Sequence, residues 1–239
     1  SMMLCINMLE GEECPEKRRE LLAMLNRGAA RLNRAVGDIL AFSALDAGTV
    51  LFRNEAVDFR RLLLSAAEEE RPAAIEKGLS LEASVPPLPK IRGDRDWLRR
   101  AVLNLLGNAV KYTRRGSVKL SAKKAKGYIK VSIIDTGEGI PASFMPHVFE
   151  KFAKPAGQSE GSGVGMWLAK RAIEGHGGSV SVDSTRGTGT KVSFSLPVGG
   201  KPLPGGIGPS GFQQQISSNI PVIYSNAPDL AWRHIIHNL

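Results

Sequence analysis

The stretch DRDWLRRAVLNLLGNAVKY, residues 94–112, decides how this chain is read. Asp94 is a helix-capping residue type, and Leu98, Val102, Leu105, Leu106 and Ala109 recur at helical spacing. The pattern predicts an amphipathic helix over 94–112 with one buried face. Residues four apart stack on the same side of a helix, so Asn104 and Asn108 lie one above the other with Lys111 close by. An amide oxygen is a hard, neutral ligand that suits Mg²⁺, an ion that usually keeps water and phosphate oxygens as its other partners. Taken alone, the same pair also describes a polar helix shoulder facing water.

Downstream, residues 117–123 and 128–135 read as strands around a Lys/Gly turn. Alternation puts Asp135 on the face of Ile129, Val131 and Ile133, so a carboxylate follows apolar side chains toward the core. A buried carboxylate needs a donor. The glycines of Thr136-Gly137-Glu138-Gly139-Ile140-Pro141 let a flat ligand approach, and an adenine amino group would supply that donor. An ordinary strand-end turn is the alternative. Gly161-Ser-Gly-Val-Gly165 leads directly into a helix expected over 164–175, where free N–H groups and the positive dipole end favour phosphate. It is neither a GxxxxGK[ST] loop nor a GxGxxG after a strand. Two final strands, 179–184 and 190–196, enclose Arg186-Gly-Thr-Gly189, and Thr190 has the inward parity of Val192, Phe194 and Leu196.

Upstream, Leu21, Leu25, Leu32, Val36, Ile39 and Leu40 mark one long amphipathic helix over 15–47, opened by Pro15 and ended at Ala47-Gly48. Its stripe needs a partner, and residues 2–9, joined by the polar turn 10–14, fit the end of one, giving a helical hairpin. Asp58 caps a further helix to about Lys77, with a disturbance expected at Arg71-Pro72, and 79–85 alternates as a strand before the stiff Pro86-Pro87-Leu88-Pro89. Hairpin-joined strands interleaved with helices predict an α+β two-layer sandwich with a mixed, mostly antiparallel sheet. The expected divisions are a partial hairpin (1–48), a linker (49–57), the sandwich (58–198) and a Gly/Pro-rich tail of no assignable role (199–239), whose end, 228–239, reads as a short helix.

Composition narrows the function classes. The 239 residues carry a net charge of +9, but the basic residues are scattered and no helix-turn-helix or aromatic RNA-binding signature accompanies them, so a small polyanion is favoured over nucleic acid. No apolar run approaches the ~20 residues of a membrane span. Cys5 and Cys14 form no CxxC and have no nearby histidine, which argues against a zinc site or disulfide framework and fits a soluble, cytoplasmic chain, attached to a membrane only through segments beyond this sequence.

In this order the motifs resemble the catalytic domain of bacterial sensor histidine kinases, within the ATPase group that includes gyrase and the Hsp90-type chaperones. Asn104-Leu-Leu-Gly-Asn-Ala-Val-Lys-Tyr-Thr113 resembles the family's N box and Asp135-Thr-Gly-Glu-Gly-Ile140 its G1 box. Phe149-Glu-Lys-Phe152 resembles the F box, Gly161 to Gly165 the G2 box, and Gly187-Thr-Gly-Thr190 the last glycine-threonine motif, although Met166 stands where leucine is usual. The resemblance implies that Asn108 with Asn104 holds Mg²⁺ against ATP and that Lys111 contacts phosphate. It also implies that Tyr112 borders the adenine, and that Asp135 binds the adenine amino group with Gly137, Gly139 and Ile140 beside it. Phe149, Phe152, Gly161, Gly163, Val164 and Gly165 would belong to the ATP lid, and Thr190 would close the base pocket.

In the gyrase-like and chaperone-like relatives the position of Asn104 is a glutamate that activates water. An amide cannot serve as that base, so the resemblance implies a protein-histidine kinase of a two-component system that spares ATP for transfer. Partners would be a response-regulator receiver domain and a second copy in a full-length dimer. Residues 31–48 resemble the second helix of the family's dimerisation and phosphotransfer hairpin. His147, His176, His234 and His237 all lie off that hairpin, so the phosphoacceptor is expected outside this chain, which alone would not autophosphorylate. An ATP-gated interaction module without transfer and a hydrolytic ATPase are the alternatives.

Overall fold

The structure, a computed structural model, describes residues 14–48, 50–155 and 161–199. The expected segment 2–9 and the tail from 200 lie outside the described residues. Helix α1 (Pro15–Asp46) opens with proline, whose missing N–H costs nothing in a first turn, and stops where Gly48 takes φ +66°. Next come β1 (Glu55–Val57), α2 (Phe59–Glu76), β2 (Ser80–Ser84), β3 (Ile91–Gly93) and α3 (Arg95–Tyr112). The chain continues through β4 (Ser117–Ala125), β5 (Tyr128–Asp135), a 3-10 turn at Met145–His147, α4 (Gly165–Gly175), β6 (Ser179–Thr185) and β7 (Gly189–Pro197).

Five strands form one sheet in the order β2-β4-β5-β7-β6, with β2 and β4 parallel and every other pair antiparallel. Alternation sorts its two faces. Val118, Leu120, Ile129, Val131, Ile133, Val192, Phe194 and Leu196 are buried, whereas Lys119, Lys130 and Lys191, between them, are exposed. The apolar face packs under α2, α3 and α4, whose Leu63, Leu105, Leu106, Ala169 and Ile173 complete the core. The expected sandwich is therefore present, with a two-stranded β1–β3 ribbon that period alone did not reveal, because each strand is only three residues long.

Capping fixes where the helices start. Asp58 accepts from Arg61 N–H at 3.0 Å, and Asp94 accepts from Asp96 and Trp97 N–H at 3.0 and 3.2 Å. Helix α2 continues through Pro72 to Glu76, close to the expected end at Lys77. Two caps come from distant residues. The Lys77 ammonium donates to the carbonyls of Val110 and Lys111 at 2.8 and 2.6 Å, closing the end of α3. Half-buried His176 accepts from Asp94 N–H at 2.8 Å through Nε2 and donates from Nδ1 to the Ala172 carbonyl at 2.6 Å, and desolvation holds its pKa below the ordinary value.

Helix α1 meets the sandwich through its last turns, not its expected stripe. Ala41 and Leu45 are buried with Val164, Trp167 and Leu168, while Leu32, Val36, Ile39 and Leu40 remain exposed. Arg100 adds a hydrogen bond to the Gly37 carbonyl at 3.0 Å.

Candidate nucleotide site

The site forms where α3, the end of β5 and the N-terminus of α4 converge. Asn104 is half-buried on α3, and its Nδ2 is a buried polar atom without a hydrogen-bond partner among the described residues. Such an atom carries a desolvation cost of roughly 1–3 kcal/mol until a ligand pairs with it. Gly165 lies against this amide: a side chain there would begin 3.6 Å from Asn104 Cγ. Asn108 and Lys111 follow on the same flank of the helix, both half-buried. A Cβ at Gly161 would stand 3.0 Å from Lys111 Nζ, so the glycine loop lies alongside the amide-bearing flank of α3.

Among the described residues, helix α4 has no side-chain cap on its first N–H groups, and Ser162 Oγ accepts only from Val164, at 3.3 Å. The positive end of the helix therefore faces α3 with unclaimed donors, which suits an anion.

At the opposite end, Asp135 is buried as its parity predicts. Its Oδ1 accepts from Gly137 N–H at 2.9 Å and from Thr190 N–H at 3.1 Å. Burial raises the carboxyl pKa, and the two N–H bonds pull it back down. No donor among the described residues reaches Oδ2. Gly137 is required for close packing, because a Cβ would lie 2.5 Å from the Tyr112 carbonyl and 2.9 Å from Asp135 Oδ1. Gly139 takes φ +67° and stacks on the Thr185 carbonyl, where no side chain fits.

Tyr112 is half-buried, its hydroxyl 3.4 Å from Lys111 Nζ and its carbonyl accepting from Glu138 N–H at 3.3 Å, which ties the end of α3 to the glycine turn. Thr190 faces Asp135 across the β5–β7 ladder. The expected residues thus form two groups: Asn104, Asn108 and Lys111 with Gly161, Val164 and Gly165, and Tyr112, Asp135, Gly137, Gly139 and Ile140 with Thr190.

Two of the expected lid residues have other contacts. The Phe149 ring is covered by the Lys170 ammonium at 5.5 Å. Phe152 is exposed, adopts φ +60°, and meets Phe42 of α1 at 5.0 Å between ring centroids. Gly163 passes directly beneath the Phe152 backbone. Phe42 also packs on Trp167 at 5.1 Å, and Lys151 pairs with Asp46. Sequence reasoning missed this clamp because Phe42 is not one of the stripe positions and its partners Phe152 and Trp167, like the Lys151 that Asp46 pairs with, lie more than a hundred residues away in sequence. It also missed Ser184, whose Oγ accepts from Ile140 N–H at 2.8 Å; a serine parity-matched to Val182 was the available signal.

An uncapped helix N-terminus beside paired amides and a buried carboxylate, on one two-layer sandwich, suit a nucleotide, and known proteins share this fold. Residues 93–200 match the family described as "Histidine kinase-, DNA gyrase B-, and HSP90-like ATPase". The chain is 36% identical over 172 residues to the "Non-motile and phage-resistance protein" of Caulobacter vibrioides, covering 68% of this chain and 20% of that protein. It is similar to full-length ShkA solved with AMPPNP (TM-score 0.65, 33% identity, 82% of this chain and 42% of that one). It is also similar to the mycobacterial sensor histidine kinase MprB (TM-score 0.54, 31% identity, 60% and 97%).

The chain belongs to this family and carries a catalytic ATP-binding domain of the bacterial sensor histidine kinase type. It spans between 20% and 34% of the length of the curated relatives it matches. Among the described residues no helix is long and apolar enough to cross a membrane.

Proposed function

We propose that this chain binds Mg-ATP at the site above and donates the γ-phosphoryl to a histidine of a two-component sensor kinase, from which it passes to an aspartate of a response-regulator receiver domain. The observation that carries the reading is Asn104. Its amide, whose buried Nδ2 has no partner among the described residues, lies against Gly165 at the start of α4, at the position where a water-activating carboxylate would make a hydrolase. An amide neither accepts a proton from water nor titrates.

In this reading Asp135 Oδ2 accepts the adenine amino group, Thr190 and Tyr112 border the base, and Lys111 with the α4 N-terminus takes the phosphates. Phe149, Gly161, Gly163, Val164 and Gly165 flank the phosphates as the lid. The donor set also fits Mg²⁺, provided the triphosphate shares it: Asn104 and Asn108 offer two neutral hard oxygens, and no cluster of three His, Cys, Asp or Glu side chains occurs among the described residues. The ion would neutralise triphosphate charge. Helix α1 corresponds to the second helix of a dimerisation hairpin, its exposed Leu32, Val36, Ile39 and Leu40 forming the face toward the first helix and a second copy.

Transfer is a substitution at the γ-phosphorus: an imidazole nitrogen forms the P–N bond, the bond to the bridging oxygen breaks, and ADP leaves with that electron pair. The test uses γ-labelled ATP and a longer chain that supplies a histidine on the helix before α1. Acid-labile label on that histidine is expected. A longer chain that binds ATP yet never labels refutes transfer and selects a nucleotide-gated interaction module, while steady phosphate release abolished by Asn108→Ala selects a hydrolase.

A further inference from the structure

Ser184 stands where three segments of the base pocket meet. Its Oγ accepts from Ile140 N–H at 2.8 Å, donates to the Gly189 carbonyl at 2.9 Å and lies 3.0 Å from Thr190 Oγ1. A serine hydroxyl owns one proton and two lone pairs. The proton goes to Gly189 and one lone pair to Ile140. The remaining lone pair accepts, so the contact with Thr190 is donated by Thr190. With its proton spent on Ser184, Thr190 Oγ1 offers only lone pairs to anything else it faces.

Directly opposite in the ladder is Asp135, whose Oδ1 is occupied by the N–H groups of Gly137 and Thr190. Its outward oxygen is an acceptor as well. Side chains opposite each other in an antiparallel pair share one face, so two acceptors border the same pocket. A purine with an amino group at C6 meets them as a donor. One with a carbonyl oxygen there leaves acceptor against acceptor, at the cost of unpaired buried polar groups.

We infer that Ser184 is a specificity-determining residue that sets the hydrogen-bond polarity of the base pocket, by drawing the Thr190 proton away from it so that 6-amino purines are accepted and 6-oxo purines rejected. The inference rests on the reading of Asp135 and Thr190 as the base pocket. Ser184 acts through Thr190 and is a positioning residue, since its hydroxyl is spent on protein groups.

The 239-residue chain is titrated with ADP and with IDP by calorimetry. Ser184→Ala frees Thr190 to rotate and donate to the 6-oxo group, and one such bond is worth about three- to tenfold in binding. The ADP-to-IDP affinity ratio is expected to fall by that factor. Ser184→Thr, which keeps the hydroxyl, is expected to restore it. On a Thr190→Val background the Ser184→Ala change is expected to leave the ratio where Thr190→Val put it, because the proton it redirects is gone. A role confined to supporting the fold weakens both nucleotides alike and adds to Thr190→Val; that result, or an unchanged ratio in Ser184→Ala, overturns the inference. If the unsubstituted chain binds ADP and IDP equally, the base-pocket reading falls first.

Discussion

Replacing Asp135 by asparagine separates the fold from the site. The amide Oδ1 can still accept from Gly137 and Thr190 N–H, the two bonds that Asp135 Oδ1 makes at 2.9 and 3.1 Å, so the β5–β7 junction keeps its geometry. What changes is the outward atom, from a carboxylate oxygen to an N–H₂ donor. An adenine amino group then loses a charge-assisted bond worth about 1.5–3 kcal/mol and meets a second donor, which leaves a further ~1–3 kcal/mol of unpaired polar cost. The sum, roughly 2.5–6 kcal/mol, corresponds to an ADP dissociation constant raised by about two to four orders of magnitude.

Stability moves the other way. Burial raises the Asp135 carboxyl pKa above its unfolded value. The carboxyl's contribution to stability is therefore fully present below the unfolded pKa and is lost as pH rises through the folded one. A neutral amide in its place carries no such loss, so Asp135→Asn is expected to melt no lower than the parent at acidic pH and higher above the folded pKa. Calorimetric titration with ADP and melting of the nucleotide-free protein across pH test both halves. Retention of ADP affinity within about threefold refutes the role of Asp135 as the amino acceptor, and a lower melting temperature at neutral pH refutes the account of its burial.

Three other outcomes are expected. Lys77→Met removes the ammonium from the Val110 and Lys111 carbonyls and is expected to cost about 1 kcal/mol and weaken nucleotide binding several-fold, with faster amide exchange at the end of α3 and rescue by Lys77→Arg; unchanged exchange counts against it. His176 is held below its ordinary pKa by burial, so its share of stability is present above the ordinary histidine range of about 6.5 and lost as pH falls toward the folded pKa; thermal melts should show this acid loss in the parent and not in His176→Gln. Phe42→Ala removes two ring contacts and is expected to release the clamp by about 1–3 kcal/mol, read as faster hydrogen exchange over residues 148–155 with β4 and β5 unchanged.

How far the site could be read from sequence depended on the range of its interactions. Asn104, Asn108 and Lys111 were placed by helical period, and Asp135 and Thr190 by strand parity, because period and parity are local properties of the backbone. The caps at Asp58 and Asp94 were legible for the same reason. Lys77, His176 and Ser184 were not, since each acts on a segment far away in sequence, and a lysine, histidine or serine at such a position looks like solvated surface until the fold brings its partner. The motif at 149–152 marks Phe152, while the packing of its ring on Phe42 is a contact that no periodicity encodes.

That contact links α1 to both sides of the glycine loop. Phe42 touches Phe152 before the loop and Trp167 after it, and Asp46 one turn later holds Lys151. Lys151 also lies 5.4 Å from the Phe42 and Trp167 ring centroids. Phe152 meanwhile holds φ +60°, a left-handed conformation that costs a non-glycine residue about 1–3 kcal/mol. The aromatic contacts that Phe42 supplies are worth about the same, roughly 1–3 kcal/mol for two ring pairs. The ring contacts offset that strain, and the burial of Ala41 and Leu45 against Val164, Trp167 and Leu168 adds to the docking of α1. Gly163 lies beneath the Phe152 backbone, so the residue whose ring meets Phe42 also contacts the glycine loop that leads into α4. Helix α1 therefore packs against both flanks of the glycine loop, through Phe42 on Phe152 and Trp167 and through Ala41 and Leu45 beside Val164 and Leu168.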